Sequence, residues 1–342
     1  MSRRVVTMIT GVLLLVGLAI GAVRLPVPYA ELGPGPTLNT LGKDASGKQI
    51  ILIDGRTPRT TTGHLNLTTV SVQDRVDLLT ALRGWLSSKR SVVPREEIFP
   101  PDKTEQQVQQ ENTQAFSESQ SSAEFAALGE LGYPQQVLID QVPSGSPSTG
   151  KLVAGDVLTT INGVTVGDYN SISTVLTRLT GGDVVTVGYQ RKGKAGSARI
   201  VTTKAKGRKG AAVGVVLTLE RKTPFKVSIG LGNDIGGPSA GLMFALGILE
   251  KLGPTELTGG RFIAGTGSID FDGTVGAIGG IPLKMIAARE HGATIFLVPA
   301  DNCSEAVRNP PKGLQLVRVD SLKTAVSALT AIEAGQAAPR CP

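Results

Sequence analysis

Gly236-Gly237-Pro238-Ser239-Ala240-Gly241 runs a glycine-rich turn into the apolar stretch Ala240-Gly241-Leu242-Met243-Phe244-Ala245-Leu246-Gly247-Ile248-Leu249, and that junction decides how the chain is read. Unbroken apolar character over this length predicts a buried helix, with the serine standing where the turn enters it. Downstream, Gly279-Gly280-Ile281-Pro282-Leu283-Lys284 puts a lysine in the first turn of a second helix that continues through Met285-Ile286-Ala287-Ala288-Arg289. A serine hydroxyl attacks a carbonyl only when a base takes its proton, and a lysine serves if its surroundings keep it neutral. The pair predicts a serine hydrolase that uses no histidine.

The surroundings fit that chemistry. A free lysine has a pKa near ~10.4, but apolar neighbours such as Ile281, Leu283, Met285 and Ile286 lower it by desolvation. At a helix N-terminus, backbone N–H groups and the helix dipole favour an oxyanion beside Ser239. Gly236 and Gly237 let the backbone come close, and Pro238 is pre-set for a first helical turn. Taken singly, Ser239 reads as a helix N-cap and Lys284 as a surface lysine. Of the two histidines, His64 falls in an N-terminal β region and His291 at the end of the lysine-bearing helix, so neither completes a Ser-His-Asp triad.

Around this core, strands expected at 213–219, 225–229, 262–266 and 295–298 alternate with helices at 238–252, 282–290, 304–309 and 321–329, an α/β or α+β pattern. Ahead of it, 137–142, 156–163 with its Asn162-Gly163 turn, a helix at 171–179, and strands at 184–189 and 198–203 form a small β-rich module. Further upstream, 50–53 and 65–72 read as strands and 77–86 as a helix. Gly33-Pro34-Gly35-Pro36 reads as a stiff connector. The polar run 104–129 reads as an exposed helix or arm, with Ser119, Ser121 and Ser122 solvated.

Residues 5–23 carry no charge and follow Arg3-Arg4. Their length and flanking arginines predict a transmembrane anchor with the bulk of the chain outside the cell membrane, a cleaved signal peptide being the alternative. In an oxidising exterior, Cys303 and Cys341 are free to pair; without a nearby histidine they make no structural zinc site. Nothing in the sequence calls for a metal or other cofactor. Gly145-Ser146-Pro147-Ser148-Thr149-Gly150-Lys151 has the spacing of a phosphate-binding loop, but Leu152 replaces the Ser or Thr that holds magnesium. The net charge of +7 comes without a basic stripe interleaved with aromatics, so no nucleic-acid partner is expected.

Two resemblances add to this reading. Pro143-Ser144-Gly145-Ser146-Pro147, then Gly150 through Leu158, then Ile161-Asn162-Gly163, resemble a PDZ domain. By that resemblance Leu131-Gly132-Tyr133 stands at the loop that holds a peptide's terminal carboxylate, although the same residues read equally as a helix C-cap. Gly237-Pro238-Ser239-Ala240-Gly241, Thr266-Gly267-Ser268-Ile269, Gly273-Thr274-Val275, Ile278-Gly279-Gly280 and Lys284 resemble the proteolytic domain of Lon proteases. The whole chain resembles membrane-anchored Lon-like proteases with a PDZ domain from Gram-positive bacteria. The resemblance implies Ser239 as nucleophile, Lys284 as general base, Thr266 as the group orienting the amine, polypeptide substrates, and a homo-oligomer, a hexamer by analogy. It leaves the role of Asp234 open, because the family's acidic residue three before the serine is here Gly236.

The expected organisation is multidomain: a tip and transmembrane helix (1–25), an N-terminal α+β region with a polar helical arm (26–130), a PDZ-like β-rich domain (131–208) and an α/β (α+β) Lon-type proteolytic domain (209–342). The expected activity is ATP-independent serine endopeptidase. The alternative is a membrane-tethered PDZ scaffold whose hydrolase domain is inactive or self-inhibited.

Overall fold

The computed structural model describes residues 3–23, 25–231 and 235–342, with the backbone alone at 18–20, 22 and 23. The open question of Asp234 therefore lies outside the described residues. The chain forms two compact units, one from Met1–Ala127 with Val227–Pro342 and the other Leu128–Lys226. Residues 1–127 thus share one compact unit with Val227–Pro342.

Helix α1 (Arg3–Val23) opens on two arginines. Among the described residues no helix is long and apolar enough to cross a membrane. The expected transmembrane helix, and the single-pass extracytoplasmic placement built on it, do not stand.

The first unit begins with β1 (Tyr29–Asn39), β2 (Ile51–Asp54), β3 (His64–Gln73), α2 (Leu78–Trp85), β4 (Ser91–Pro94), the one-turn α3 (Arg95–Ile98) and α4 (Glu105–Glu130). The Gly-Pro-Gly-Pro stretch is no connector; it lies inside β1. Pro34 pairs with Val70 of β3, and a register shift between Pro34 and Thr37 absorbs the missing N–H groups. Strand β4 pairs only with Tyr29–Leu32 of β1, so neither proline has to donate on that side.

The second unit holds β5 (Gln135–Gln141), β6 (Val157–Ile161), β7 (Val164–Thr165), α5 (Tyr169–Leu176), β8 (Val184–Arg191), β9 (Lys194–Val201), β10 (Thr203–Lys204), β11 (Ala211–Ala212) and β12 (Val216–Arg221). Its sheet runs β12-β5-β6-β8-β9, with β7 beside β6. Asn162 and Gly163 have φ of 50° and 78°, the left-handed pair that the expected turn requires. Buried Asp156 takes two hydrogen bonds of 2.7 Å from Arg191 and anchors the sheet. Strand β12, expected in the hydrolase, is the edge strand of this sheet.

The first unit resumes with β13 (Lys226–Ile229), α6 (Gly241–Leu252), β14 (Phe262–Gly265), β15 (Ser268–Ile269), β16 (Val275–Gly276), α7 (Ile281–Glu290), β17 (Ile295–Pro299), α8 (Cys303–Ala306), β18 (Gln315–Val319) and α9 (Leu322–Glu333). The central sheet is β18-β17-β14-β3-β1-β4. It joins the two halves of the unit, because β14 pairs in parallel with His64–Leu67 of β3. All twelve residues of α6 are buried, which explains why its sequence is apolar as far as Leu249. Burying each large apolar side chain contributes roughly 1.5–3 kcal/mol, enough to hold a helix that contains glycine.

Candidate active site

Helix α6 starts at Gly241, three residues later than the sequence suggests. Its N-cap is Ala240, which makes no side-chain cap bond, so the Ser239 hydroxyl is not a helix cap. The turn before it is anchored through backbone: Ser239 O accepts from the N–H of Gly267 at 2.9 Å. A second bond reaches the same carbonyl from the Thr266 hydroxyl at 3.0 Å. Thr266 closes β14 and is fully buried.

Lys284 sits in the first turn of α7. Gly280 caps that helix in the left-handed region (φ 73°, ψ 30°), and a Cβ there would come within 2.9 Å of Val70 Cγ2. Both facts require glycine and set where the helix begins. Ahead of it, the Asn302 amide grips Ile278 at two points, accepting from its N–H and donating to its C=O, each at 2.9 Å.

The Lys284 side chain is 3% exposed. Its Nζ donates to Thr266 Oγ1 at 3.0 Å, and no carboxylate among the described residues pairs with it. Burial lowers its pKa from 10.5 to about 8. The Thr266 proton is committed to Ser239 O, so the hydroxyl can only accept from the lysine. A neutral amine donating to Thr266 keeps its lone pair free to take another group's proton.

Ser239 and Lys284 line one cleft of about 660 Å³, together with residues 67–72 of β3, Gly279, and Val108, Asn112 and Phe116 of α4. Strand β14 covers β3 only as far as Leu67. Among the described residues, 68–72 of β3 therefore present an edge with no strand neighbour on the cleft side. Of the expected oxyanion and turn residues, Gly237 donates its N–H to Asn112 O at 2.9 Å and Pro238 has none. Neither supplies a free donor. No acceptor among the described residues takes the N–H groups of Ser239 and Ala240.

Several residues emerge that sequence reading missed. Ser119 is buried, not solvated, and donates from Oγ to Pro238 O at 2.9 Å. The signal was available: Phe116, Ser119, Ala123 and Ala127 share one helical face and are all buried. At the far end of α6, buried Lys251 donates to Ile51 O at 2.7 Å, and burial lowers its pKa. Its neighbour Glu250 is fully buried and pushed up for the same reason. The histidines are structural: His64 stacks on Phe262, and His291 caps the end of α7.

Leu131-Gly132-Tyr133 lies at the end of α4. Gly132 N–H bonds to Gly129 O at 2.9 Å and Tyr133 N–H to Leu128 O at 3.0 Å, so both are committed to a helix C-cap. They are not free to hold a carboxylate. A second glycine turn, Val213-Gly214-Val215, leads directly into edge strand β12. Gly214 has φ of +74°, and no acceptor among the described residues takes the N–H groups of Gly214 and Val215. The Leu217 carbonyl on this strand accepts from Tyr169 Oη, at the start of α5, at 3.1 Å.

Cys303 and Cys341 form a disulfide with Cα atoms 5.2 Å apart. No group of three or more His, Cys, Asp or Glu side chains able to hold a metal occurs among the described residues.

Residues 107–202 match the PDZ domain family, and residues 231–331 match the Lon protease (S16) C-terminal proteolytic domain. The chain carries a PDZ domain and a Lon proteolytic domain. The first match starts inside α4, ahead of the compact second unit, and stops before β12. Lon protease 2 of Bacillus subtilis is 32% identical over 92 residues, covering 27% of this chain and 16% of that protein. The Lon protease of Heliobacterium modesticaldum is 36% identical over 89 residues, 25% of this chain and 11% of that one. The PDZ domain of the SdrC-like protein from Listeria monocytogenes is 25% identical, covering 24% of this chain and 85% of that chain with a TM-score of 0.23. The chain thus spans no more than 16% of the length of these curated Lon relatives.

Proposed function

We propose that the chain is a serine endopeptidase with a Ser239–Lys284 dyad. The observation that carries this reading is the buried Lys284 amine, which has a hydroxyl as its partner and shares one cleft with Ser239. Ser239 Oγ attacks the scissile carbonyl carbon while its proton passes to Lys284 Nζ. The N–H groups of Ser239 and Ala240, at the positive end of α6, receive the developing oxyanion. Lys284 then returns the proton to the leaving amine as the C–N bond breaks. Next it takes a proton from the water that hydrolyses the acyl-enzyme. Thr266 orients the amine throughout.

The open edge at residues 68–72 suits an extended chain, which pairs with it through main-chain hydrogen bonds. Substrates are therefore unfolded or exposed segments, and cleavage proceeds without added ATP because no step draws on nucleotide energy. In the PDZ unit, Val213-Gly214-Val215 and the edge of β12 supply a nest and a strand edge for a polypeptide end. Opening that edge requires Tyr169 to release the Leu217 carbonyl.

The test is incubation of the protein with an unfolded polypeptide beside Ser239→Ala and Lys284→Met. Cleavage by the parent alone is expected. Equal cleavage by all three removes the dyad and leaves a peptide-binding protein.

A further inference from the structure

We propose that α4 clamps the nucleophile turn and that Ser119 is a positioning residue for the oxyanion donor; the proposal rests on reading Ser239 as the nucleophile. Helix α4 holds two successive residues of the turn. Asn112 O accepts from Gly237 N–H at 2.9 Å, and Ser119 Oγ donates to Pro238 O at 2.9 Å. Phe116, between them on the helix, packs edge-to-face on Phe244 of α6 with ring centroids 5.8 Å apart. A Cβ at Gly241 would lie 2.8 Å from Ser119 Oγ, so helix and turn are in direct contact there.

The Pro238 carbonyl and the Ser239 N–H belong to one planar peptide unit, which is trans, as is every peptide bond among the described residues. In a trans unit the two groups point in opposite directions. Fixing the carbonyl on Ser119 therefore fixes the Ser239 N–H, aimed away from α4 and without an acceptor of its own. A helical serine commonly bonds back to its own helix; here the hydroxyl reaches out to the turn instead. Without it the peptide unit is free to rotate, and the donor leaves the line along which the oxyanion forms.

The experiment compares full-length parent, Ser119→Ala, Ser121→Ala on the exposed face of the same helix, and Ser239→Ala. Each is assayed for kcat and KM on an unfolded polypeptide, for affinity towards a peptide boronate and towards the matching product peptide, and for its melting transition. Removing an oxyanion donor outright costs about 10²–10³ in rate, and loosening one costs less. Ser119→Ala is expected to lose about tenfold in kcat, with KM within about twofold. Boronate affinity should fall in proportion, while product affinity and the melting transition hold. Ser121→Ala behaves as the parent. Unchanged kcat in Ser119→Ala, or equal loss of boronate and product affinity, overturns the clamp. Parent-like activity in Ser239→Ala overturns the nucleophile assignment instead.

Discussion

Lys284 is buried with a hydroxyl as its partner, so the fold disfavours its charge and holds its pKa at about 8, against 10.5 for the free side chain. As the proposed base it must be neutral, so kcat/KM should rise with pH through about 8 and level off above it. A profile flat from pH 6 to 10 would contradict this. Stability follows the same proton. Between about 8 and 10.5 the unfolded chain holds a proton the folded chain has released, so stability rises with pH across that window. Below it both states are charged and the burial cost stands in full, on the order of 3 kcal/mol. Lys284→Met should therefore abolish cleavage yet raise the melting temperature at pH 7. Thr266→Val removes the acceptor that favours the ammonium form, so the apparent pKa should fall below that of the parent while kcat drops. Ser239 and Lys284 stood out in the sequence at the starts of two expected helices, and Thr266 entered only through the resemblance to Lon proteolytic domains. It hid Ser119 because a polar helix with a narrow buried face looks like a solvated arm.

At the scale of elements, two backbone decisions shape the proposed dyad's site: where α7 begins and where β3 is left uncovered. Gly280→Ala would strain a left-handed residue and drive a methyl into Val70. It should cost about 1–3 kcal/mol by chemical denaturation and lower activity by displacing Lys284. A neutral outcome would mean that the cap does not set the helix. The strands of the PDZ unit, its Asn162-Gly163 turn and the helices flanking the dyad were legible because each is a local pattern. Strand β1 was not, since its prolines argue against a strand until the register shift that accommodates them is seen. The two readings of Leu131-Gly132-Tyr133, carboxylate loop and helix cap, stayed inseparable in the sequence for a related reason. A glycine after an apolar residue serves equally as a helix cap, and only the hydrogen bonds of Gly132 and Tyr133 separate the two.

At the scale of the whole molecule, one unit is assembled from both ends of the chain, and no local pattern announces a parallel pairing between 64–67 and 262–265. The Cys303–Cys341 bridge, 38 residues apart in sequence, ties the C-terminal tail into the cluster that carries Ile281, Met285 and Ala288 of α7. Reduction, or Cys341→Ser, should cost about 2–4 kcal/mol in denaturant unfolding; no change would show the tail to be dispensable. The chemistry itself is tested most directly by a serine-reactive fluorophosphonate, with the site located by mass spectrometry and the rate followed against pH. The account predicts a single label on Ser239, formed at a rate that climbs through about pH 8 and collapses in Lys284→Met. Labelling elsewhere, or at Ser239 with a rate indifferent to Lys284, would contradict it.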